Sequence, residues 1–339
     1  NLWWILPSLV PGVAVIPVVF SIGRRIGSDG GGLIGAAIAA VAPSFLVFSV
    51  DLRPYMLLAL LLAGSTLCLL KAEDSLERRW WLAYAVLGAA ALWTHYTAAF
   101  VIAGQGAWMM YTRPPQRRPL LEASALTMLL FVPWLPFAGE KTGMSWYVDA
   151  NRWNALQLFK TFPGEQFMPR PVESSTGYLG WRWFALYLFW ALAIAALALA
   201  LRRVRSARAD SQLSNVGLVA SAAISMPVAM GLQTLLTGDG VFTPRHLFAF
   251  APYGAVLVGW ALAELPKRSL LLLGLPMAAL LMLGTVSHYS AAARKPPYWP
   301  AARLIATRSG TDDIVIDALP GTGRRLKTPI QYLDSRSDV

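Results

Sequence analysis

Long apolar stretches alternate with short basic clusters along this chain, and that alternation predicts an all-α polytopic membrane protein. Apolar runs fall at roughly 3–20, 31–50, 54–70, 119–138, 181–201, 214–236, 245–264 and 269–287. Each is near the ~20 residues that cross a hydrocarbon core about 30 Å thick. Trp80 to Tyr111 adds a further apolar stretch of 32 residues, which as one helix would be roughly 48 Å long. Its flanks are basic on both sides, Arg78 and Arg79 before it and Arg113, Arg117 and Arg118 after it. Like flanks demand an even number of passes, so the spacing predicts two short helices. Their turn falls at the polar cluster of the stretch, Thr94, His95, Tyr96 and Thr97. Ten passes result, with both ends of the chain outside.

Charge fixes the orientation. The 339 residues are 56% hydrophobic and 14% charged, with a formal net charge of +11 and a mean hydropathy of +0.50. A nucleic-acid binder would gather its cations on one solvated face; here they sit between apolar runs, so no nucleic-acid partner is expected. With ten passes the inner loops hold Arg24, Arg25, Lys71, Arg78, Arg79, Arg113, Arg117, Arg118, Arg202, Arg203, Arg205, Arg208, Lys267 and Arg268. The short outer turns hold only Arg53 and Arg245, as the positive-inside rule requires. Four regions follow: a first group of six passes over 1–138, an outer loop over 139–180 with interfacial short helices, four passes over 181–287, and a C-terminal outer segment over 288–339. The last of these reads as incomplete, with a short helix after Pro300 and a strand at Ile314 to Ile316. The front reads as truncated too, since Asn1 opens straight into Leu2, Trp3 and Trp4 with no basic leader region.

Charged residues are nearly absent from the spans, with Glu122 and Glu264 close to inner ends where they can pair with Arg. Polar groups of catalytic type gather instead in three outer turns: Asp51, Arg53 and Tyr55; His95 and Tyr96; Arg245 and His246. Topology puts all three at the outer membrane boundary, where a lipid headgroup lies. Each has a plainer reading. Asp51 caps a helix opened by Pro54 or pairs with Arg53; His95 ends a helix and bonds a loop carbonyl; Arg245, at a helix start, meets either a lipid phosphate or a carboxylate of the outer loop. The Trp3–Trp4, Trp80–Trp81 and Trp181–Trp183 patches read as interfacial anchors, and Cys68 as a small buried hydrophobe. His95, His246 and His288 are isolated, so no metal motif is present. Asp29 to Gly32 reads as a turn between passes.

The run Ala42 to Leu57, with Pro43-Ser44, Ser49, Asp51, Arg53, Pro54 and Tyr55, resembles the signature of bacterial GT-C membrane glycosyltransferases. These are the family-39-like enzymes related to protein O-mannosyltransferases and lipid A aminoarabinose transferases. Val15 to Val18 with Gly23-Arg24-Arg25, Leu92 to Thr97, Thr243 to Leu247, and Tyr298-Trp299 to Val315 resemble further motifs of that family in the same order. The resemblance implies a GT-C-like bundle of about ten helices in the bacterial inner membrane, with its site on the periplasmic side. It implies an inverting glycosyltransferase that moves a sugar from a polyprenyl-phosphate donor to a lipid, glycan or protein acceptor. Asp51 is then the catalytic-site carboxylate, orienting Arg53 or a sugar hydroxyl. Arg245, with Arg53, holds the phosphate, and Tyr55, His95, Tyr96 and His246 line the substrate site. Two positions depart from the pattern, Asp51 for Glu and His246 for Tyr. The carboxylate usually cast as base belongs to a first outer loop expected ahead of Asn1. No cofactor is required, and a divalent metal is neither required nor excluded. The alternative of another class is a lipid-linked glycan flippase without catalysis, which needs an ionisable path through the membrane centre.

Overall fold

The computed structural model describes residues 2–75, 77–138, 179–207, 210–237 and 246–288. All of them fall within the compact unit Asn1–His288. The expected outer loop, Arg245 and nearly all of the C-terminal segment lie outside the described residues.

The described residues are helical, without a strand: α1 (Leu6–Ile26), α2 (Asp29–Val41), α3 (Pro43–Val50), α4 (Tyr55–Ser75), α5 (Arg78–Thr94), α6 (Ala98–Thr112), α7 (Arg117–Phe131), α8 (Leu135–Ala138), α9 (Leu179–Ser206), α10 (Asp210–Thr237), α11 (Phe250–Ala263) and α12 (Lys267–His288). Among the described residues, seven helices are long and apolar enough to cross a membrane, and the bent pair α2–α3 makes an eighth if taken as one span. That pair bends by 54° at Ala42–Pro43, where the expected single pass over 31–50 is interrupted. The cause is Pro43, which supplies no backbone N–H and drives Ala42 into an extended conformation. The stretch from Trp80 to Tyr111 does form two helices, of 17 and 15 residues, each shorter than a full span because the break at His95 divides one apolar run. Asp29 to Gly32 is not a turn: Ser28 accepts a hydrogen bond from the Gly31 N–H and caps α2 from Asp29 onward.

Ion pairs tie the basic ends of the helices together. Arg25 pairs with Asp74, joining α1 to α4, and Arg113 pairs with Glu73 and donates to Asn215, joining α6 to α4 and α10. Glu122 pairs with Arg118 as expected, whereas Glu264 accepts from Gln212 rather than from an Arg. The loop Asp51 to Pro54, the break at His95 and the turn at His246 therefore share the opposite end of the bundle. Trp3 and Trp4 are exposed, as anchors are, but Trp81 is buried in the bundle.

Close helix approach rests on small residues. A Cβ at Gly259 would stand 2.5 Å from the Gly35 nitrogen and 2.6 Å from the Gly31 oxygen, so α2 and α11 meet backbone to backbone. Gly31 and Gly35 are four residues apart on one face, as are Ala255 and Gly259, the spacing that lets membrane helices pack closely. The interior is not wholly apolar either. Midway along α4 and α6, Gln105 donates to Thr66 (2.7 Å), whose hydroxyl meets that of Tyr253 (2.9 Å). All three are fully buried. In a bundle interior such uncharged groups bond to one another across helices, although among the described residues Gln105 Oε1 has no hydrogen-bond partner.

Candidate functional site

The first loop of the site follows from the end of α3. Asp51 leaves the helix in an extended conformation, and the Ser8 hydroxyl of α1 donates to the carbonyls of Asp51 (2.6 Å) and Arg53 (3.3 Å). This pins the loop to the first helix. Arg53 faces the Asp51 carboxylate at 3.7 Å, with the Asp51 side chain 20% exposed and that of Arg53 46% exposed. Pro54 then opens α4, and Tyr55, its first residue, is buried.

The second element is the break between α5 and α6. His95 closes α5, its N–H donating to the Ala91 carbonyl, and its own backbone is extended. The Thr97 N–H donates to His95 Nδ1 (3.3 Å), and the Thr97 hydroxyl lies 2.8 Å from the same nitrogen. An Nδ1 that accepts a backbone N–H leaves the proton of a neutral imidazole on Nε2. Burial, and then the neighbouring His246, push the His95 pKa down to about 4. The ring is accordingly a neutral Nε2–H donor at neutral pH.

His246 begins the short 3-10 turn that leads into α11. Its ring centroid is 5.3 Å from that of His95 and 5.9 Å from that of Tyr55. Tyr55 and His95 are 5.9 Å apart, and Tyr96 stacks on His95 at 4.8 Å. Behind them stands an aromatic wall in which Phe48 meets Tyr55 at 5.6 Å and Phe248 at 4.4 Å. Three turns far apart in sequence thus form one cluster.

Of the candidates, Tyr55, His95, Tyr96 and His246 come together, Asp51 and Arg53 pair in the loop that leads into Tyr55, and Arg245 lies outside the described residues. Asp51 follows α3 and pairs with Arg53; the cap on the next helix is not its role. Sequence reasoning missed Thr97 as the holder of His95, Ser8 as the tether of the loop, and Phe48 and Phe248 as the wall. Only Thr97 carried a signal, as part of the polar interruption. Among the described residues, no group of three or more His, Cys, Asp or Glu side chains is placed to hold a metal ion.

Residues 2–137 match the family model described as dolichyl-phosphate-mannose-protein mannosyltransferase. Among solved structures, ArnT from Cupriavidus metallidurans bound to undecaprenyl phosphate is similar, with a TM-score of 0.59 at 15% identity over 90% of this chain and 58% of that one. The chain shares the fold of that structure. The archaeal oligosaccharyltransferase AglB from Archaeoglobus fulgidus, in complex with an inhibitory peptide and a dolichol-phosphate, is a more distant likeness. Its TM-score is 0.50 at 11% identity, over 95% of this chain and 48% of that one. This chain therefore spans about half the length of the solved structures it matches. No curated protein sequence matches it.

Proposed function

We propose that the protein is an inverting glycosyltransferase that takes a sugar from a polyprenyl-phosphate donor and passes it to an acceptor at the non-cytoplasmic face of a bacterial inner membrane. The observation that carries this reading is the convergence of Tyr55, His95 and His246 at the bundle end opposite the Arg clusters. Cations retained on the cytoplasmic side would put that end outside. The likeness to a GT-C structure bound to undecaprenyl phosphate supports the donor class.

In the proposed reaction an acceptor hydroxyl or amine forms a bond to the anomeric carbon while the bond from that carbon to the phosphate oxygen breaks. The leaving group departs as polyprenyl monophosphate, and the acceptor proton passes to a carboxylate acting as general base. Charge on the leaving phosphate grows toward the transition state, so donors fixed in advance stabilise it most. Neutral His95 supplies one such donor through Nε2–H, held by Thr97 against rotation. Arg53 supplies a cation, and Asp51 positions it. Arg245, next to His246 in the chain, is the second phosphate ligand of this reading. Tyr55, Tyr96 and His246 contact the sugar, for which a partly aromatic surface with polar edges is suited.

Transfer of labelled sugar from a polyprenyl-phosphate donor by the full-length protein in proteoliposomes tests the reading. We expect turnover in the wild type and a loss of roughly 10²-fold or more for Arg53→Ala, the scale seen when a transition-state donor is removed. A wild-type rate in Arg53→Ala and His95→Ala alike would refute the site assignment.

A further inference from the structure

A second ligand site lies away from this cluster. Between α9 and α10, over α11, runs a trough of about 440 Å³ whose walls include Trp190, Leu197, Ala220, Ile224 and Leu257. α9 ends at Ser206 and α10 begins at Asp210, so the two helices are joined closely at one end and yet enclose a gap along their length. Small residues leave it open: Ala193 and Ala220 line it where larger side chains would fill it. Its floor is firm. Trp108 of α6 donates to the Ser214 carbonyl (3.0 Å), and a Cβ on Gly217 would stand 1.9 Å from the Trp108 ring, so the indole is seated in the space that Gly217 leaves.

Among the described residues, one charged side chain lines the trough, Arg205, at the end where α9 and α10 join. Arg202 and Arg203 stand beside it in the chain, and among the described residues none of the three forms an ion pair. From Phe189 to Arg205, both of which line the trough, a helix rises roughly 24 Å, enough for an extended acyl chain. An apolar channel with a guanidinium at one mouth fits an amphiphile with an anionic head.

We infer that the trough binds one acyl chain of an anionic phospholipid from the leaflet on the basic side, with its phosphate at Arg205. The proposed sugar donor is not the occupant in this reading, because its phosphate belongs at the His95 end while Arg205 stands at the end marked by Gln212 and Glu264. The inference does not depend on glycosyl transfer.

Native mass spectrometry of the full-length protein, with phosphatidylglycerol or phosphatidylcholine added to the detergent, reads occupancy directly. We expect phosphatidylglycerol to be retained by the wild type in preference to phosphatidylcholine, with occupancy about fivefold lower in Arg205→Ala, the loss of one cation at a lipid surface. Ala193→Leu with Ala220→Leu should remove it by filling the trough. Arg205 is exposed and its replacement leaves packing intact, so that arm stands even where the filled variant does not fold. Equal retention of both lipids, full retention in Arg205→Ala, or recovery of polyprenyl phosphate as the bound lipid would each overturn the inference.

Discussion

His95 and His246 come from opposite halves of the chain, and their imidazole rings stand 5.3 Å apart. Neither sits inside a long helix: one occupies a break between two short helices, the other a 3-10 turn at a helix start. That placement sets both rings at helix ends, where the flanking helices hold them in register. It also explains the low His95 pKa, since a buried ring beside a second imidazole gains little by taking a proton.

The His95 shift has a sign that can be checked. In the unfolded chain His95 binds a proton near its ordinary value of 6.5, whereas in the folded protein it does so only near about 4. Between those values the unfolded state holds more protons, so stability rises with pH across that window. Thermal unfolding of the solubilised protein should therefore show a steeper loss on acidification for the wild type than for His95→Gln. Parallel curves would remove His95 as the titrating group.

A second expectation concerns the tether on that ring. Thr97→Val keeps the backbone N–H bond to Nδ1 and loses the hydroxyl contact. The variant should lower turnover modestly, by roughly tenfold or less, as expected when one neutral hydrogen bond worth about 1 kcal/mol is lost. Thr97→Ser should restore it, and failure of Ser to do so would assign Thr97 to packing.

The contact between α2 and α11 predicts a steric outcome. Gly259→Leu has no room against Gly35 and Gly31, and the two helices must separate along a face that is otherwise closed. Loss of folded protein in detergent, read by size-exclusion chromatography, is the expected result; Gly106→Ala, where a Cβ meets nothing within 4 Å, should behave as wild type.

Inside the bundle, Tyr253→Phe removes the hydroxyl that meets Thr66 and Gln105. Interhelical hydrogen bonds of this kind contribute about 0.6 kcal/mol on average and up to about 1.7, so a small drop in thermal stability is expected. Gln105→Glu would place a carboxylate there, at a cost nearer the roughly 3 kcal/mol that a charge incurs at a helix centre. Equal stability of the two variants would contradict this picture of the interior.

Much of this arrangement was legible from residues that interrupt a pattern. The polar run Thr94 to Thr97 inside an apolar stretch marked the break at His95, and the basic flanks of that stretch set the parity of the helices. Pro54 ahead of Tyr55 marked the start of α4. What escaped notice follows a different logic: Gly31, Gly35 and Gly259 matter only because α2 and α11 cross there, and Gln105 matters because Thr66 and Tyr253 arrive beside it from other helices. Phe48 and Phe248 looked like any other membrane aromatics until their rings were found behind Tyr55. The Asp29 to Gly32 glycines misled, since glycine favours turns but a bundle interior also selects it for close approach inside a helix.

A single headgroup pocket formed by distant turns is what the proposed transfer requires. Binding of a polyprenyl-phosphate sugar to the full-length protein, measured for the wild type, His95→Ala, His246→Ala and the double variant, tests this directly. One pocket predicts that each single change weakens binding and that the double change costs less than the two together, a coupling expected of groups in contact. Wild-type affinity in both single variants, or strictly additive losses, would contradict it.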